Sequence, residues 1–444
     1  MQLGIDIGTT RIVAALADRG NYPLVRFEGP EGEPRDWFPP LIAVRGSQRL
    51  WGWDAWSAQS DPDATVIGSI KALLRHSYEH INVDSRTSGA SILDLLTEVA
   101  SAFRTALDKD SNVHSAATEP LEIVLGIPVN AHSDQRFVTA EAFRRAGFVV
   151  LGLLEEPVAA SLEFRHGHEY SGGLLIYHLG GRTFDASVVE IDGNPPAVVT
   201  SEGLEHLGGD DFDAVLAELA WEAAGLQLFQ FNSLSPADLF RLHEECRHGK
   251  EALAPTTQRI IVDLGIVLQG CKPVAIPVVA FYDRCRPLLD QTIRVVEQLL
   301  SNYGRRLEAL YVIGGGSALP LVMRQVREAF RNQASRAANS HATTAIGLAI
   351  AAAQKNGDKS REKSFSPLCG SAPSLAVPIP ANLDPEHWLC GFMNDAIMKF
   401  FASGGTITFD AVSNLLKDRK EAFLNDLQTA RRMLHTYPDL FKER

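Results

Sequence analysis

Short apolar runs punctuated by glycine turns dominate the start of the chain. Leu3 to Ile7 reads as a strand, Gly8-Thr9-Thr10 as a tight turn, and Arg11 to Ala17 as a returning strand. Together they predict a hairpin whose turn can meet a ligand. Residues 28–40 are rich in Pro, Gly and Glu and read as loop. The period then changes: Leu95, Leu96, Val99, Phe103 and Leu107 recur at helical spacing and predict an amphipathic helix over Ile92 to Leu107. Further along, a buried strand is expected from Leu121 to Ile127 and a helix from Phe137 to Ala146. A second strand from Phe148 to Leu154 and a second helix from Pro157 to Phe164 follow.

After a loop at residues 166–173 the opening pattern returns. Leu174 to Leu179 is a strand, Gly180-Gly181-Arg182-Thr183 a turn, and Phe184 to Ile191 a strand. Two strand–Gly/Thr turn–strand units in one chain predict two similar lobes. Helices are expected at Asp211 to Ala224 and Ser235 to Leu253. A strand at Tyr311 to Ile313 runs into Gly314-Gly315-Gly316-Ser317, and helices follow at Leu321 to Arg331 and Ala342 to Ala353. The predicted organisation is an α/β fold with lobe I over 1–168 and lobe II over 169–353. A helix near 342–353 returns to lobe I. A polar Lys/Ser/Gly/Pro-rich linker over 354–384 leads to a helical tail over 385–444.

Composition narrows the function classes. At 444 residues the chain is too long for one ordinary domain, and its formal charge of −12 leaves no basic excess for a mainly electrostatic nucleic-acid binder. No apolar run suggests a membrane span, and no secretory signal is read at the N-terminus. The five cysteines are scattered without a CxxC pair, so reduced thiols and a cytoplasmic location are expected.

Candidate chemistry lies in the turns. Glycine lets a backbone approach phosphate closely, and successive turn amides form an anion nest. Asp6, at a strand end, can hold a hydrated Mg²⁺. The bland alternative is an ordinary polar hairpin turn. Two such turns facing each other would grip a phosphate chain from both sides, and Gly314 to Gly316 would let a nucleoside lie against the backbone.

At this point a family resemblance emerges. The segments that carry it are Gly4 to Thr10, Ser69 to Leu74, Gly126-Ile127-Pro128 with Ser133 to Arg136, Glu155 to Ser161, His178 to Asp185, Leu207 to Asp213, and Ile313 to Pro320. In their order and spacing, residues 1 to about 353 resemble the nucleotide-binding domain of the seventy-kilodalton heat-shock (DnaK-type) chaperones. The resemblance implies an actin-like ATPase fold of two duplicated lobes, binding of ATP or ADP with Mg²⁺, and catalytic roles for Lys71, Glu156 and Thr183. It further implies nucleotide contacts from Asp6, Gly8, Thr9, Thr10, Gly180, Gly181, Arg182, Thr183, Gly208, Gly209, Asp210, Lys250, Gly314, Gly315 and Gly316. Its metal-site positions are Asp6, Asp185 and His178.

The departures from that pattern matter as much. His178 stands where the family has an Asp, and imidazole is a poor replacement toward Mg²⁺. Arg182 replaces the third glycine of the phosphate turn, where it fills the phosphate site, supplies a cation or points to solvent. Arg247, Ala254 and Ala318 stand where the family has a ribose-binding Glu, a Ser and an adenine-stacking Arg. Two other patterns weigh less. His76-Ser77-Tyr78-Glu79-His80 matches the zinc pattern H-x-x-E-H, but inside a family-like stretch. His166 and His168 read as a solvated loop pair. Trp51, Trp53 and Trp56 are expected to pack under a neighbouring loop rather than form a sticky patch.

The tail shows no leucine-rich linker, β-sandwich or lid pattern, so the expected arrangement lacks the usual peptide-binding domain. Its apolar faces can pack back on the lobes, pair as a small bundle or form a dimer. The expected function is a nucleotide-controlled switch with slow ATP hydrolysis acting on an unidentified protein partner or client. A non-hydrolysing scaffold is the alternative, and a small-molecule kinase a minor one.

Overall fold

The computed structural model describes residues 1–357 except 62, 68–69, 76–89, 114–119, 167–169, 194–195, 306 and 331–333. The zinc-like pattern at 76–80, His168, Cys369, Cys390, most of the proposed linker and the whole tail lie outside the described residues. Among those described, no helix is long and apolar enough to cross a membrane.

The opening hairpin forms as its pattern predicts, with β1 (Gln2–Ile7) antiparallel to β2 (Ile12–Leu16). The loop over 28–40 contains a small ribbon of β3 (Phe27–Glu28) and β4 (Pro34–Arg35). Three further strands, β5 (Ile42–Arg45), β6 (Gln48–Trp51) and β7 (Ala64–Ile67), make a separate sheet in the order β6-β5-β7, with α1 (Gly52–Ala58) between β6 and β7. The tryptophans pack against one another: Trp37 lies 5.0 Å from Trp53 and 5.2 Å from Trp56, ring centre to ring centre. The short α2 (Ile70–Arg75) carries Lys71.

Helix α3 (Ile92–Lys109) buries the stripe expected of it and is started by a capping box between Ser91 and Asp94. It is followed by β8 (Glu122–Ile127), α4 (Ser133–Arg145), β9 (Val149–Glu155) and α5 (Glu156–Arg165). Helix α4 starts at Ser133 rather than Phe137, because its first turn is polar and carries no hydrophobic periodicity. These strands form a four-stranded sheet in the order β2-β1-β8-β9, parallel except for the β1–β2 hairpin.

The second hairpin pairs β10 (Gly173–Leu179) with β11 (Phe184–Glu190), and β11 with β12 (Ala197–Leu204). Helices α6 (Gly209–Ala223), α7 (Leu228–Phe231) and α8 (Pro236–Glu251) follow, then a ribbon of β13 (Arg259–Val262) and β14 (Val274–Pro277). The longest helix, α9 (Val278–Tyr303), has Pro287 inside it. One buried face, through Phe281, Cys285, Leu289, Thr292, Val296 and Leu299, holds it on the core despite the missing proline donor. Next come β15 (Leu307–Ile313), α10 (Pro320–Phe330), β16 (Ala334–Arg336) and α11 (Thr343–Gly357), which extends four residues into the segment read as linker. The second sheet has the order β12-β11-β10-β15-β16.

The two sheets repeat one plan. In each, a hairpin strand is flanked by its antiparallel mate on one side and by parallel strands on the other, so β10 is the counterpart of β1. Asp6 and His178 are the penultimate residues of those two strands. Helix α11 packs on β1, β2, β8 and α5, in the half of the molecule that the chain left at α5. Close approach there depends on glycine: a Cβ at Gly347 would sit 1.8 Å from the Ala159 carbonyl oxygen, and one at Gly4 would sit 2.1 Å from the Ala349 nitrogen.

Candidate functional site

Both hairpin turns close with the same backbone bond. The Gly8 amide donates to the Arg11 carbonyl at 2.9 Å, and the Gly180 amide donates to the Thr183 carbonyl at 2.9 Å. The turns abut, since a Cβ on Gly181 would meet the Thr10 side chain at 2.6 Å. The start of α6 is tied to the second turn by the amides of Gly209 and Asp210, which donate to the carbonyls of Gly180 and Gly181 at 3.0 and 2.8 Å. Gly314, with φ of +91°, brings a third backbone segment against Leu179 and the His178 ring. Only glycine tolerates that conformation and that contact together.

These segments wall one cleft. Asp6, Gly8, Thr9, Thr10, Lys71 and Glu156 reach it from the first sheet and its helices. Gly180, Gly181, Thr183, Gly209, Asp210, Lys250, His178 and Gly314 to Gly316 reach it from the second. Three of the expected residues do not line it. Gly208 lies behind, packed on the Gly181–Arg182 peptide, where a Cβ would come within 2.5 Å. Arg182 turns away, half-exposed, and its Nε donates to Asp210 Oδ2 at 2.9 Å, so it does not line the cleft. Asp185 lines a second cavity instead, with Ser187, Ser201, His132, Gln135 and Glu205. That cavity shares Glu156 and His178 with the cleft.

The floor of the cleft is a buried charged group. Lys71 Nζ donates to Glu156 Oε1 at 2.5 Å, and both residues are buried. The other oxygen of Glu156 lies 3.9 Å from His178 Nδ1. Asp6 is 8% exposed, and its Oδ1 has no hydrogen-bond partner. Burial pushes the Asp6 carboxyl up to about 6, the Glu156 carboxylate adds to that, and Lys71 and His178 oppose it. Gly126 of β8 leaves space between the two acids: a Cβ there would be 3.5 Å from Asp6 Oδ1 and 3.6 Å from Glu156 Cγ.

At the other end, ion pairs couple α6 to α8. Lys250 Nζ lies 2.7 Å from Asp213 Oδ1 and donates to the Gly209 carbonyl. Arg247 is surrounded by Asp210, Asp213 and Glu244. Burial raises Asp213 to about 6 against the pull of Lys250, and raises Glu244 to about 7 against the pull of Arg247. Ala254 and Ala318 are exposed and do not line the cleft.

Four lining residues escaped the sequence reading: Arg11, Val13, Glu251 and His341. Arg11 pairs with Glu251 at 2.7 Å across the cleft, and its guanidinium sits over Trp37. His341 Nε2 lies 2.8 Å from Asp36 Oδ2. Arg11 directly follows the first turn and could have been flagged by that position alone. His341 carries no local signal. The loop residue His166 is not merely solvated, because its ring packs edge-on to Tyr22.

Asp6 offers what a hydrated Mg²⁺ requires of a protein: one carboxylate oxygen with a vacant lone pair. The rest of the donor set is less suited. Glu156 is engaged by Lys71, and His178 presents nitrogen where Mg²⁺ prefers oxygen. Among the described residues no cluster of three or more His, Cys, Asp or Glu is assembled for a metal.

Comparison with known proteins identifies relatives of this chain. A family model described as Hsp70 protein matches residues 2–368. A chaperone protein DnaK of Thermus thermophilus is 28% identical over 378 residues, covering 79% of this chain and 60% of that protein. A chaperone protein HscA homolog of Variovorax paradoxus is 26% identical over 379 residues, covering 80% and 58%. The chaperone protein HscA of Klebsiella pneumoniae is 28% identical over 367 residues, covering 79% and 57%. The matched region therefore spans less than two thirds of each of these relatives.

Proposed function

Since the chain belongs to the Hsp70 family, whose members share the actin-like ATPase fold and generally bind ATP or ADP with Mg²⁺, we propose that it is a nucleotide-controlled conformational switch that hydrolyses ATP slowly. In this reading residues 1–168 and 169–353 are the two lobes, and the nucleotide lies between them. The observation that carries it is the contact of the two glycine turns, Gly181 against Thr10, beside the buried Lys71–Glu156 pair.

The turn amides and the hydroxyls of Thr9, Thr10 and Thr183 bind phosphate oxygens. Asp6 would hold hydrated Mg²⁺, which would supply neutralising charge to the phosphates. Glu156 orients the attacking water, and Lys71 both holds Glu156 and stabilises charge developing on the γ-phosphoryl oxygens. Water forms the new P–O bond, the bond to the β-phosphate oxygen breaks, and ADP and phosphate result. Gly314 to Gly316 and Lys250 bound the nucleoside end. ATP closes the lobes and its hydrolysis relaxes them, which a protein partner reads as a change in affinity.

A single turnover tests this. Protein in excess over labelled ATP and Mg²⁺ is expected to convert bound ATP to ADP, and Lys71→Met to bind ATP and keep it intact. Absence of any bound nucleotide would overturn the reading. One observation favours a second reading, a scaffold that binds nucleotide without hydrolysing it: at the strand end equivalent to Asp6 stands an imidazole. Intact bound ATP in the parent, with turnover gained in His178→Asp/Arg182→Gly, would establish that alternative.

A further inference from the structure

His178 is the residue in which this cleft departs most from a site built for a hard cation. Its place is set by the duplicated fold. Asp6 and His178 are the penultimate residues of the two counterpart strands, so each half delivers one donor to the cleft beside its own glycine turn. The imidazole is fixed on two sides: Nδ1 faces Glu156 at 3.9 Å, and the Cδ2 edge lies against Gly314, where a Cβ would come within 2.7 Å. The side chain remains about 20% exposed, and the ring lines the cleft. Asp6 Oδ1 is buried without a partner.

Resting on the nucleotide-site reading, we propose that this cleft takes its nucleotide with a first-row divalent ion of the Mn²⁺ type in preference to Mg²⁺, with His178 as a direct nitrogen ligand. One carboxylate oxygen, one imidazole nitrogen, phosphate oxygens and water form a mixed O/N octahedral set. Mg²⁺ dehydrates reluctantly and takes oxygen, so it gains nothing from the imidazole; first-row divalent ions accept nitrogen as well as oxygen donors. No three-residue metal cluster is preassembled among the described residues, so the ion arrives with the nucleotide and the protein supplies the selecting ligand. Glu156 is left to Lys71.

The test uses the whole chain with the non-hydrolysable ATP analogue AMP-PNP. Nucleotide binding is first measured by equilibrium dialysis with Mn²⁺ and with Mg²⁺. The Mn²⁺ complex is then examined by electron spin-echo modulation, using natural and ¹⁵N-histidine-labelled protein. The expected result is an imidazole nitrogen coupling that changes with the label and vanishes in His178→Gln. The preference for Mn²⁺ over Mg²⁺, relative to the free nucleotide, is expected to fall about 10–100-fold in that variant. His178→Asp, which keeps a ligand at the site, is expected to restore Mg²⁺ affinity, so a folding defect in one variant does not decide the matter. Bound nucleotide with no histidine coupling, or a Mn²⁺/Mg²⁺ ratio unchanged in His178→Gln, overturns the proposal while leaving the nucleotide site standing. No bound nucleotide with either ion overturns both.

Discussion

Removing the Lys71 ammonium tests whether the cleft floor is a coupled charged unit. At 2.5 Å the gross attraction between Lys71 and Glu156 is about 7 kcal/mol at an effective dielectric of about 20. Both ions lost their hydration on burial, at several kcal/mol each, so the net value of the pair is small. The cost of deleting one partner is not small, because the buried Glu156 then loses the ammonium that donates to its Oε1, while the imidazole beside its other oxygen lies 3.9 Å away. Lys71→Met is therefore expected to destabilise the nucleotide-free protein by about 3–5 kcal/mol, and Lys71→Met/Glu156→Gln to recover most of that loss. Urea denaturation of the parent, both single variants and the double variant, followed by tryptophan fluorescence and corrected for slope, gives the cycle. A cost under about 1 kcal/mol for Lys71→Met, with additive single effects, would mean that water already solvates Glu156 in the cleft, and the argument from burial would fail.

Other expectations concern different parts of the cleft. Arg11→Ala removes a partly exposed ion pair that crosses it, worth about 0.2–1 kcal/mol, so stopped-flow release of a fluorescent nucleotide should quicken by roughly 1.5–5-fold. Glu244, raised to about 7, keeps its proton in the native state after the unfolded chain has released it near 4.5. Its contribution is therefore full below pH 4.5 and is lost as pH rises through 7, by on the order of 3 kcal/mol. Glu244→Gln should flatten that part of the stability–pH curve from chemical denaturation. Gly347→Ala should lower stability by about 1–3 kcal/mol in spite of alanine's better helix propensity, because its Cβ would collide with the Ala159 carbonyl. Asp185→Ala should leave nucleotide affinity within about twofold, since that carboxylate lines the neighbouring cavity; isothermal titration decides.

Much of this was legible because it is local. A strand, a glycine turn and a returning strand are adjacent in sequence, so both hairpins could be read directly, as could the buried stripe of α3. What escaped was either masked by a local conflict or assembled from afar. Pro287 and the many polar residues of α9 hide a helix that only its buried face sustains. Arg11 meets Glu251 across 240 positions, and His341 meets Asp36 across 305. Asp185 shows a different limit. It pairs directly with His178 in the β10–β11 register, yet only the ring of His178 reaches both cavities. Motif spacing places a residue on a strand; side-chain length and the neighbouring backbone decide which cavity it serves.

The return of α11 to the first sheet has a mechanical consequence. The chain passes from the first half to the second between Arg165 and Gly173, and comes back between Arg336 and Thr343. Two covalent crossings define a line, as two pins define the axis of a gate. Rotation about that line would change the cleft width, opposed by contacts such as Arg11–Glu251 that cross it, whereas sliding one half past the other would pull on both crossings at once. In the proposed switch the soft motion would therefore be a swing of fixed direction: a nucleotide between the halves would alter their angle rather than their registration, and a partner that reads the angle would gain most far from the pins, where a small rotation becomes a large displacement.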